Sequence, residues 1–320
     1  MNNIIVTGGL GILGREVVNQ LLKNKNNFII IIDKEKSKKK IATFKQDLKK
    51  VKFLNIDFTN KKNFFLVLKK YKISTVFHLG AVTQVLEAYS NPYNTFNSNI
   101  MGTINILEAI KDLNKNIKFI YSSSDKAYGE LKKKEYYENF PLEGDFPYDV
   151  SKSASDLIAQ TYSKTYQLNI GIVRSGNIYG PGDFNTDRLI PHVVTSYLRN
   201  KKPILRSNGK LIRDYLYVGD VARAYVALMN HMKKKKQKLF IYNVGSKENF
   251  RVITLVNNIK KILEKKHLNP LILNNSNIEI KRQKLNFNKI KRELKWYPKV
   301  NITQGLKKTI LWYKNNLSLF

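Results

Sequence analysis

The sequence predicts a doubly wound α/β protein, with crossover helices on both faces of a parallel sheet and a smaller α/β region after it. Three observations predict it. Short apolar runs recur and end in glycine or aspartate: residues 3–8 run into a glycine turn, Phe28 to Ile32 stops at Asp33, Val51 to Ile56 stops at Asp57, and Thr75 to Leu79 stops at Gly80-Ala81. Polar, lysine-rich segments with helical spacing separate them, such as Phe64, Phe65, Leu68 and Tyr71. Buried-type strands alternating with helices indicate a parallel sheet. The third observation is a change of pattern after about Gly176, where proline and glycine cluster at Gly180-Pro181-Gly182, Pro191 and Pro203.

Each element follows in order. Arg15 to Leu22 reads as the first helix, Ile104 to Ile110 as another, and Ile117 to Tyr121 as the next strand. Ser153 to Tyr166 is a long helix and Ile170 to Arg174 one more strand. No repeat or low-complexity linker interrupts the chain. The expected division is residues 1–175 as the first domain, with 215–243 returning to it, and 176–214 with 244–320 as the second.

Composition excludes several classes. At 320 residues and 42% hydrophobic content the chain can bury a real core without staples. It has no cysteine, so a disulfide scaffold, a thiolate zinc site, an iron–sulfur cluster and a cysteine nucleophile are all excluded. The histidines, His78, His192, His231 and His267, lie far apart without an HxH or HExxH pair, so no metal site is expected. The longest aliphatic stretch, Phe28 to Ile32, cannot span a bilayer, and the Met-Asn-Asn start lacks the features of a signal peptide. The expectation is a soluble, cytoplasmic protein with no membrane insertion.

The net charge of +33 raises the question of a polyanion partner. The lysines instead fall in short loop runs, Lys38 to Lys40, Lys132 to Lys134 and Lys233 to Lys236, without interleaved aromatics on one helix face. Lysine, asparagine and isoleucine are inflated together, which compositional bias explains. No nucleic acid is expected, although the charge would draw in an anionic substrate.

The turn Thr7-Gly8-Gly9-Leu10-Gly11-Ile12-Leu13-Gly14 carries a GxxGxxG spacing between strand and helix. Gly8 permits the tight turn, Gly11 lets backbone approach a pyrophosphate, and Gly14 lets the helix pack closely; Ile12 and Leu13 begin the helix whose amides face the phosphates. Asp33 follows Gly14 by nineteen residues at the end of the second strand, where a carboxylate suits the ribose hydroxyls of NAD and repels the extra phosphate of NADP. Lys34 and Lys36 nearby keep NADP as a minority option. Asp57, beside Phe58, ends the third strand where it can reach an adenine or act as a turn residue.

Tyr148 and Lys152 form a YxxxK pair on one face of a helix. An ammonium beside a phenol, with a positive nicotinamide close by, favours the phenolate and lowers the phenol's pKa until it can act as a base on a sugar hydroxyl.

The glycine turn, His78-Leu79-Gly80-Ala81, Asn99-Ile100-Met101-Gly102-Thr103, Ser122-Ser123-Ser124 and Tyr148 with Lys152 occur in order. They are followed by Arg174-Ser175-Gly176-Asn177-Ile178-Tyr179-Gly180-Pro181-Gly182, Arg213-Asp214-Tyr215 with Val218 and Asp220, and Leu294-Lys295-Trp296-Tyr297-Pro298. Over nearly its whole length the chain resembles the extended short-chain dehydrogenase/reductases, the NAD-dependent nucleotide-sugar epimerases and dehydratases. The resemblance implies a Rossmann-type first domain that binds NAD and a second domain that binds a nucleotide sugar. Gly80 is a mild departure, since the family more often has alanine there.

The resemblance also implies roles. Ser124, Tyr148 and Lys152 would be catalytic; Gly8, Gly11, Ile12, Leu13, Gly14, Asp33, Asp57, Phe58, Leu79, Tyr148 and Lys152 would line the cofactor. Asn177, Arg188, Arg213 and Arg282 would meet the substrate, since planar guanidinium groups suit a diphosphate. Asn99 would hold strand and catalytic turn together. The helices beginning near Ile100 and Ser153 correspond to those that make a homodimer in the family.

The Asp125-Lys126 pair after Ser124 is similar to CDP-glucose 4,6-dehydratases, as are Pro147-Tyr148-Asp149-Val150-Ser151-Lys152 and the run to Asp187-Arg188-Leu189-Ile190-Pro191. Eliminating water across C5 and C6 needs a C4 ketone, because only then is the C5 proton acidic. Lys126 would remove that proton and protonated Asp125 would donate to the departing C6 hydroxyl. The expected function is thus an NAD-dependent nucleotide-sugar 4,6-dehydratase, with CDP-glucose as candidate substrate and surface-polysaccharide biosynthesis as the usual setting. A 4-epimerase or decarboxylase of the same fold is the alternative, and a non-catalytic NAD, nucleotide-sugar or polyanion-binding protein is the alternative of another class.

Overall fold

The structure is a computed structural model that describes residues 2–34, 36–275 and 280–320. Met1, Glu35 and residues 276–279, which fall within the expected domain spans, lie outside the described residues. The first half of the chain alternates β1 (Asn2–Thr7), α1 (Ile12–Leu22), β2 (Asn27–Asp33), a short α2 (Lys38–Ile41), β3 (Val51–Asn55), α3 (Lys61–Lys70) and β4 (Thr75–His78). Then come α4 (Val85–Ser90), α5 (Pro92–Phe96), α6 (Gly102–Leu113), β5 (Lys118–Ser124), α7 (Pro147–Tyr166) and β6 (Asn169–Ser175). The remainder holds β7 (Asn177–Tyr179), α8 (Leu189–Leu198), β8 (Ile204–Leu205), β9 (Ile212–Tyr217), α9 (Val218–Met232), β10 (Leu239–Val244) and β11 (Asn249–Arg251). It ends with α10 (Val252–Ile262), β12 (Leu271–Ile272), α11 (Asn288–Leu294) and α12 (Ile302–Asn315).

Among the described residues, seven strands form one sheet in the order β10-β6-β5-β4-β1-β2-β3, every pair parallel. The doubly wound sheet expected from the sequence is therefore present. Both faces of each central strand are apolar, and alternate residues go to opposite layers. Ile4, Val6, Ile29 and Ile31 pack with Val17 and Leu21 of α1 and Val221 and Tyr225 of α9. Ile5, Ile30 and Ile32 pack with Phe64 and Leu68 of α3, Ile106 and Ile110 of α6, and Ala159 of α7.

The strand order reverses between β1 and β4, which opens a crevice at their carboxyl ends. A second core joins Val193 and Tyr197 of α8, Leu255 and Ile259 of α10, and Leu306 and Tyr313 of α12 around Tyr215. Beside it β9 pairs with β7 and β11 in a three-stranded sheet. β9 keeps that pairing through Tyr217 while its Leu216 already packs in the core of the first sheet, and α9 follows from Val218 against that sheet. It returns once more at its end, where Ile290 and Trp296 join the α1–α9 core. The indole nitrogen of Trp296 donates to Asp220 O at 2.9 Å.

Candidate active site

The crevice floor is built from the glycine turn and the end of β4. Gly8 has φ +64°, and a β-carbon there would stand 2.7 Å from the backbone of Gly80. A β-carbon on Gly14 would stand 2.2 Å from Gly8 O, so α1 can start on top of the turn only with glycine at this position. The helix is capped by Gly11 without any side chain on its amides, which leaves the first-turn N–H groups at Ile12 and Leu13 directed into the crevice mouth. Thr7 fastens the two strand ends. Its hydroxyl accepts from the amides of Leu79 and Gly80 at 3.2 and 3.1 Å and meets His78 Nδ1 at 2.8 Å. Since that oxygen already accepts twice, its proton goes to Nδ1, and the neutral imidazole, which burial drops to about 3, carries hydrogen on Nε2.

Asp33 stands at the rim, with Oδ2 accepting from Leu10 N and Oδ1 from Lys34 N, both at 3.0 Å. Its carboxylate thus also braces the glycine turn. Asp57 is exposed and accepts from Thr59 N at 2.9 Å, the geometry of a turn residue. The neighbouring Phe58 is buried, edge-on to His78 at 5.1 Å.

The reaction groups converge at the end of β5. That strand runs on to Ser124, and Asp125–Tyr128 form a 3-10 turn capped by the Ser124 hydroxyl, which accepts from Lys126 N at 3.2 Å. Pro147 at its first turn starts α7 six residues earlier than the apolar pattern suggests, which puts Tyr148 and Lys152 on consecutive turns beside that 3-10 turn. Lys152 is 4% exposed; its Nζ donates to Ser122 O at 2.9 Å and lies 5.9 Å from the Tyr148 ring centroid. Burial lowers the Lys152 amine to about 8, opposed by the charge of Asp156.

The expected fall in the Tyr148 pKa is not what the chain's own groups produce. Burial pushes the phenol up to about 12, and a hydrogen bond with Ser124 and the charge of Arg188 offset it only in part. Desolvating a phenolate outweighs those two contacts.

Asp125 is 2% exposed; Oδ1 accepts from Ser124 Oγ at 3.1 Å, and Oδ2 is buried with no partner. Lys126 donates through Nζ to Gln283 Oε1, whose Nε2 donates in turn to Asp125 O at 2.9 Å. Asp149, also buried, is pushed up to about 7 by burial, with Lys126 opposing and Asp125 adding to the rise. The 3-10 turn and the start of α7 together carry a phenol, two amines and two buried carboxyls, a set suited to moving several protons on one substrate.

Behind this wall lies an ion pair. Arg174 donates to both oxygens of Asp156 at 2.9 Å, and Ser123 Oγ donates to the same carboxylate at 2.6 Å. Asn99, in a π-helical turn Asn97–Met101, accepts from Val82 N at 2.8 Å and donates to Val82 O at 3.0 Å and Ser151 Oγ at 2.9 Å, tying the β4 loop to α7.

On the substrate side the expected residues divide. Asn177 opens β7 with its Nδ2 buried and unpartnered. Arg213 is buried on β9, with Nη1 donating to Ile212 O at 3.1 Å. Arg282 is exposed, bridged in register to Ile212, and borders a cavity of about 500 Å³ with Lys132, Lys133, Lys134 and Lys281. Arg188 donates to Asp183 Oδ2 at 3.2 Å and Thr83 Oγ1 at 3.1 Å, and its charge acts on the Tyr148 phenol.

Three residues were not singled out in the sequence. Gln283 gave no signal, being one neutral residue far along a lysine-rich segment. Asp149 could have been found from its place beside Tyr148. Arg15 is buried and donates to Leu10 O at 2.7 Å and to Gly182 O, clamping the glycine turn to the loop after β7.

The family model described as GDP-mannose 4,6 dehydratase matches residues 5–309, and the chain belongs to that family. It is 29% identical, over 98% of its length and 47% of the relative's, to a trifunctional UDP-glucose 4,6-dehydratase/UDP-4-keto-6-deoxy-D-glucose 3,5-epimerase/UDP-4-keto-L-rhamnose-reductase of Arabidopsis thaliana. The chain thus spans about half the length of that plant relative. It is 28% identical to the dTDP-D-glucose 4,6-dehydratase of Homo sapiens, over 98% of this chain and 90% of that one. Its fold superposes with a TM-score of 0.89 on the dTDP-glucose 4,6-dehydratase of Bacillus anthracis in complex with NAD, at 30% identity over 100% of this chain and 99% of the other.

Proposed function

From that membership and this geometry, we propose that the chain is an NAD-dependent nucleotide-sugar 4,6-dehydratase, a lyase. The observation that carries the proposal is Asp125 with Lys126: a buried carboxyl with a free oxygen and an adjacent amine, on the turn that follows Ser124. A 4-epimerase needs Ser124, Tyr148 and Lys152 but has no elimination for that pair to perform.

The crevice fits a dinucleotide. The Gly8–Gly80 approach leaves no side chain in the way, the first-turn amides of α1 suit a pyrophosphate, and Asp33 suits a ribose diol. Gly8, Gly11, Ile12, Leu13, Gly14, Asp33 and Leu79 would hold it, with Phe58 and Asp57 at the adenine end and Tyr148 and Lys152 at the other. When bound, NAD supplies a two-electron acceptor for hydride from C4 and its donor back to C6, so the net change is loss of one water.

The chain's own residues handle the protons. Tyr148 takes the C4 hydroxyl proton while Ser124 donates a hydrogen bond to the same oxygen. Lys152, over the phenol ring, and a cation brought in beside it favour the phenolate that burial alone disfavours. Lys126 removes the C5 proton once C4 is a ketone, and Asp125 protonates the leaving C6 hydroxyl. Asn177, Arg188, Arg213 and Arg282 would meet the substrate and its diphosphate, with Arg188 also steadying the loop that carries Thr83.

We assign the dinucleotide to residues 1–175 with 218–244, and the nucleotide sugar to 176–217 with 245–320; the separate core around Tyr215 supports the second assignment. The homodimer would form across α6 and α7, where Leu157 of α7 is exposed together with Met101 in the turn before α6 and Tyr93 of the neighbouring α5. Among the described residues no helix is long and apolar enough to cross a membrane; the site of action we propose is the cytoplasm.

The test is mass spectrometry of the purified chain with NAD and a panel of CDP-, dTDP-, GDP- and UDP-sugars. Loss of one water from one member without net NADH is the expected result and names the nucleotide, CDP-glucose being the candidate from the Asp-Lys pair. An isomer of equal mass would make the chain an epimerase, and an unchanged panel would leave it a binding protein. Asp125→Asn should slow water loss more than C4 oxidation.

A further inference from the structure

We propose that Gln283 is the positioning residue that aims the Lys126 amine at the substrate and sets it relative to Asp125; the proposal rests on the dehydratase reading above. Gln283 is fully buried. Its backbone is held on two sides: its N–H donates to Ile212 O at 3.2 Å, and its carbonyl accepts from Asn249 Nδ2 at 3.1 Å. From beside β9 the side chain reaches the catalytic turn, with Nε2 on Asp125 O and Oε1 on Lys126 Nζ.

The two contacts define the amide's orientation. A backbone carbonyl only accepts, so the NH₂ end must face Asp125, and the amide oxygen is left for the lysine. An amide oxygen cannot donate. When Lys126 is the neutral base, one of its N–H bonds is therefore taken by Gln283 and its lone pair points elsewhere. The amide is also uncharged, so it holds the amine in place without the proton-retaining pull of a carboxylate at the same spot. One side chain thus contacts both the base and the backbone of the acid. Among the described residues, the charged groups that act on this cluster include Asp125 on the same turn, Asp145 and Asp149 before and on α7, and Arg213 and Asp214 on β9.

Two variants test it on the NAD-saturated chain. In Gln283→Glu the new carboxylate should raise, by about one pH unit or more, the pH at which Lys126 is half-maximally acetylated by trace acetic anhydride, read by peptide mass spectrometry. In the near-isosteric Gln283→Met, water loss from whichever panel sugar the parent dehydrates should slow roughly tenfold or more. C4 oxidation, read as single-turnover NADH, should change less than about twofold in that variant, within the noise of the barrier arithmetic. A Lys126 titration unchanged in Gln283→Glu overturns the proposal, and so does an equal fall of both steps in Gln283→Met. A parent chain that dehydrates no nucleotide sugar overturns the reaction assignment instead, while the Lys126 titration still decides the contact.

Discussion

The ring of Phe58 occupies the space a side chain at Gly80 would need: a β-carbon on Gly80 would stand 2.8 Å from Phe58 Cε1. The other edge of the ring closes on Gly102, where a β-carbon would stand 2.6 Å from Cε2. His78 packs against the ring at 5.1 Å, so it has little room to swing. This ring leaves no room for a methyl group at position 80. Gly80→Ala should cost about 1–3 kcal/mol by overpacking, and Phe58→Leu should recover most of it. A double-mutant cycle in urea reads the coupling, and strict additivity would defeat the explanation.

The Arg174–Asp156 pair is wholly buried, and its partners include the Tyr128 hydroxyl at 2.8 Å from Nη1 and Glu138 O at 2.9 Å. Burial penalises the guanidinium, but Asp156 more than offsets it and the pKa of Arg174 rises. Removing one partner leaves the other charge uncompensated. Asp156→Ala should therefore lose about 3–5 kcal/mol. The double change Arg174→Met with Asp156→Leu should lose less than Asp156→Ala alone, as compared by urea midpoints at constant slope.

Asp149 makes stability depend on pH with a definite sign. Burial raises its carboxyl to about 7, so the folded chain retains a proton that the unfolded chain releases near the ordinary value of about 4. That contribution is full below the unfolded pKa and is lost as pH rises through about 7. Asp214, raised to about 7 by burial against hydrogen bonds from Ser246 and Leu285, acts in the same direction over the same window. The difference between the parent and Asp149→Asn isolates Asp149. Relative to the parent, the variant should gain a few kcal/mol between pH 4 and pH 8. A constant difference would show that the carboxyl titrates normally.

Asp33 should decide which dinucleotide is bound, and its bond to Leu10 N couples that choice to the shape of the turn. Asp33→Ser should weaken NAD binding by roughly tenfold, about 1.4 kcal/mol, and narrow the gap to NADP by removing a negative charge from the ribose end. Calorimetric titration with both cofactors measures the two affinities. An unchanged ratio would confine Asp33 to bracing the turn.

Much of the frame was legible from local pattern. Ile4, Ile5 and Val6 before a glycine turn, and Ile29 to Ile32 before Asp33, carry apolar residues on both faces of a strand, and that composition is stable only between two helical layers. The glycine spacing, YxxxK and Ser124-Asp125-Lys126 are likewise chemistry written within a few residues of chain. Tertiary structure alone decided the contacts between distant segments. Gln283 meets Lys126 across 157 residues, Arg15 meets Gly182 across 167, and Phe58 fits Gly80 only because the parallel strands β3 and β4 both finish at the carboxyl end of the sheet. It also decided how strongly burial raises the Tyr148 phenol in the chain by itself. A YxxxK motif records which groups are adjacent but not how far water is excluded from them, and desolvation depends on the packing of the whole chain around the phenol.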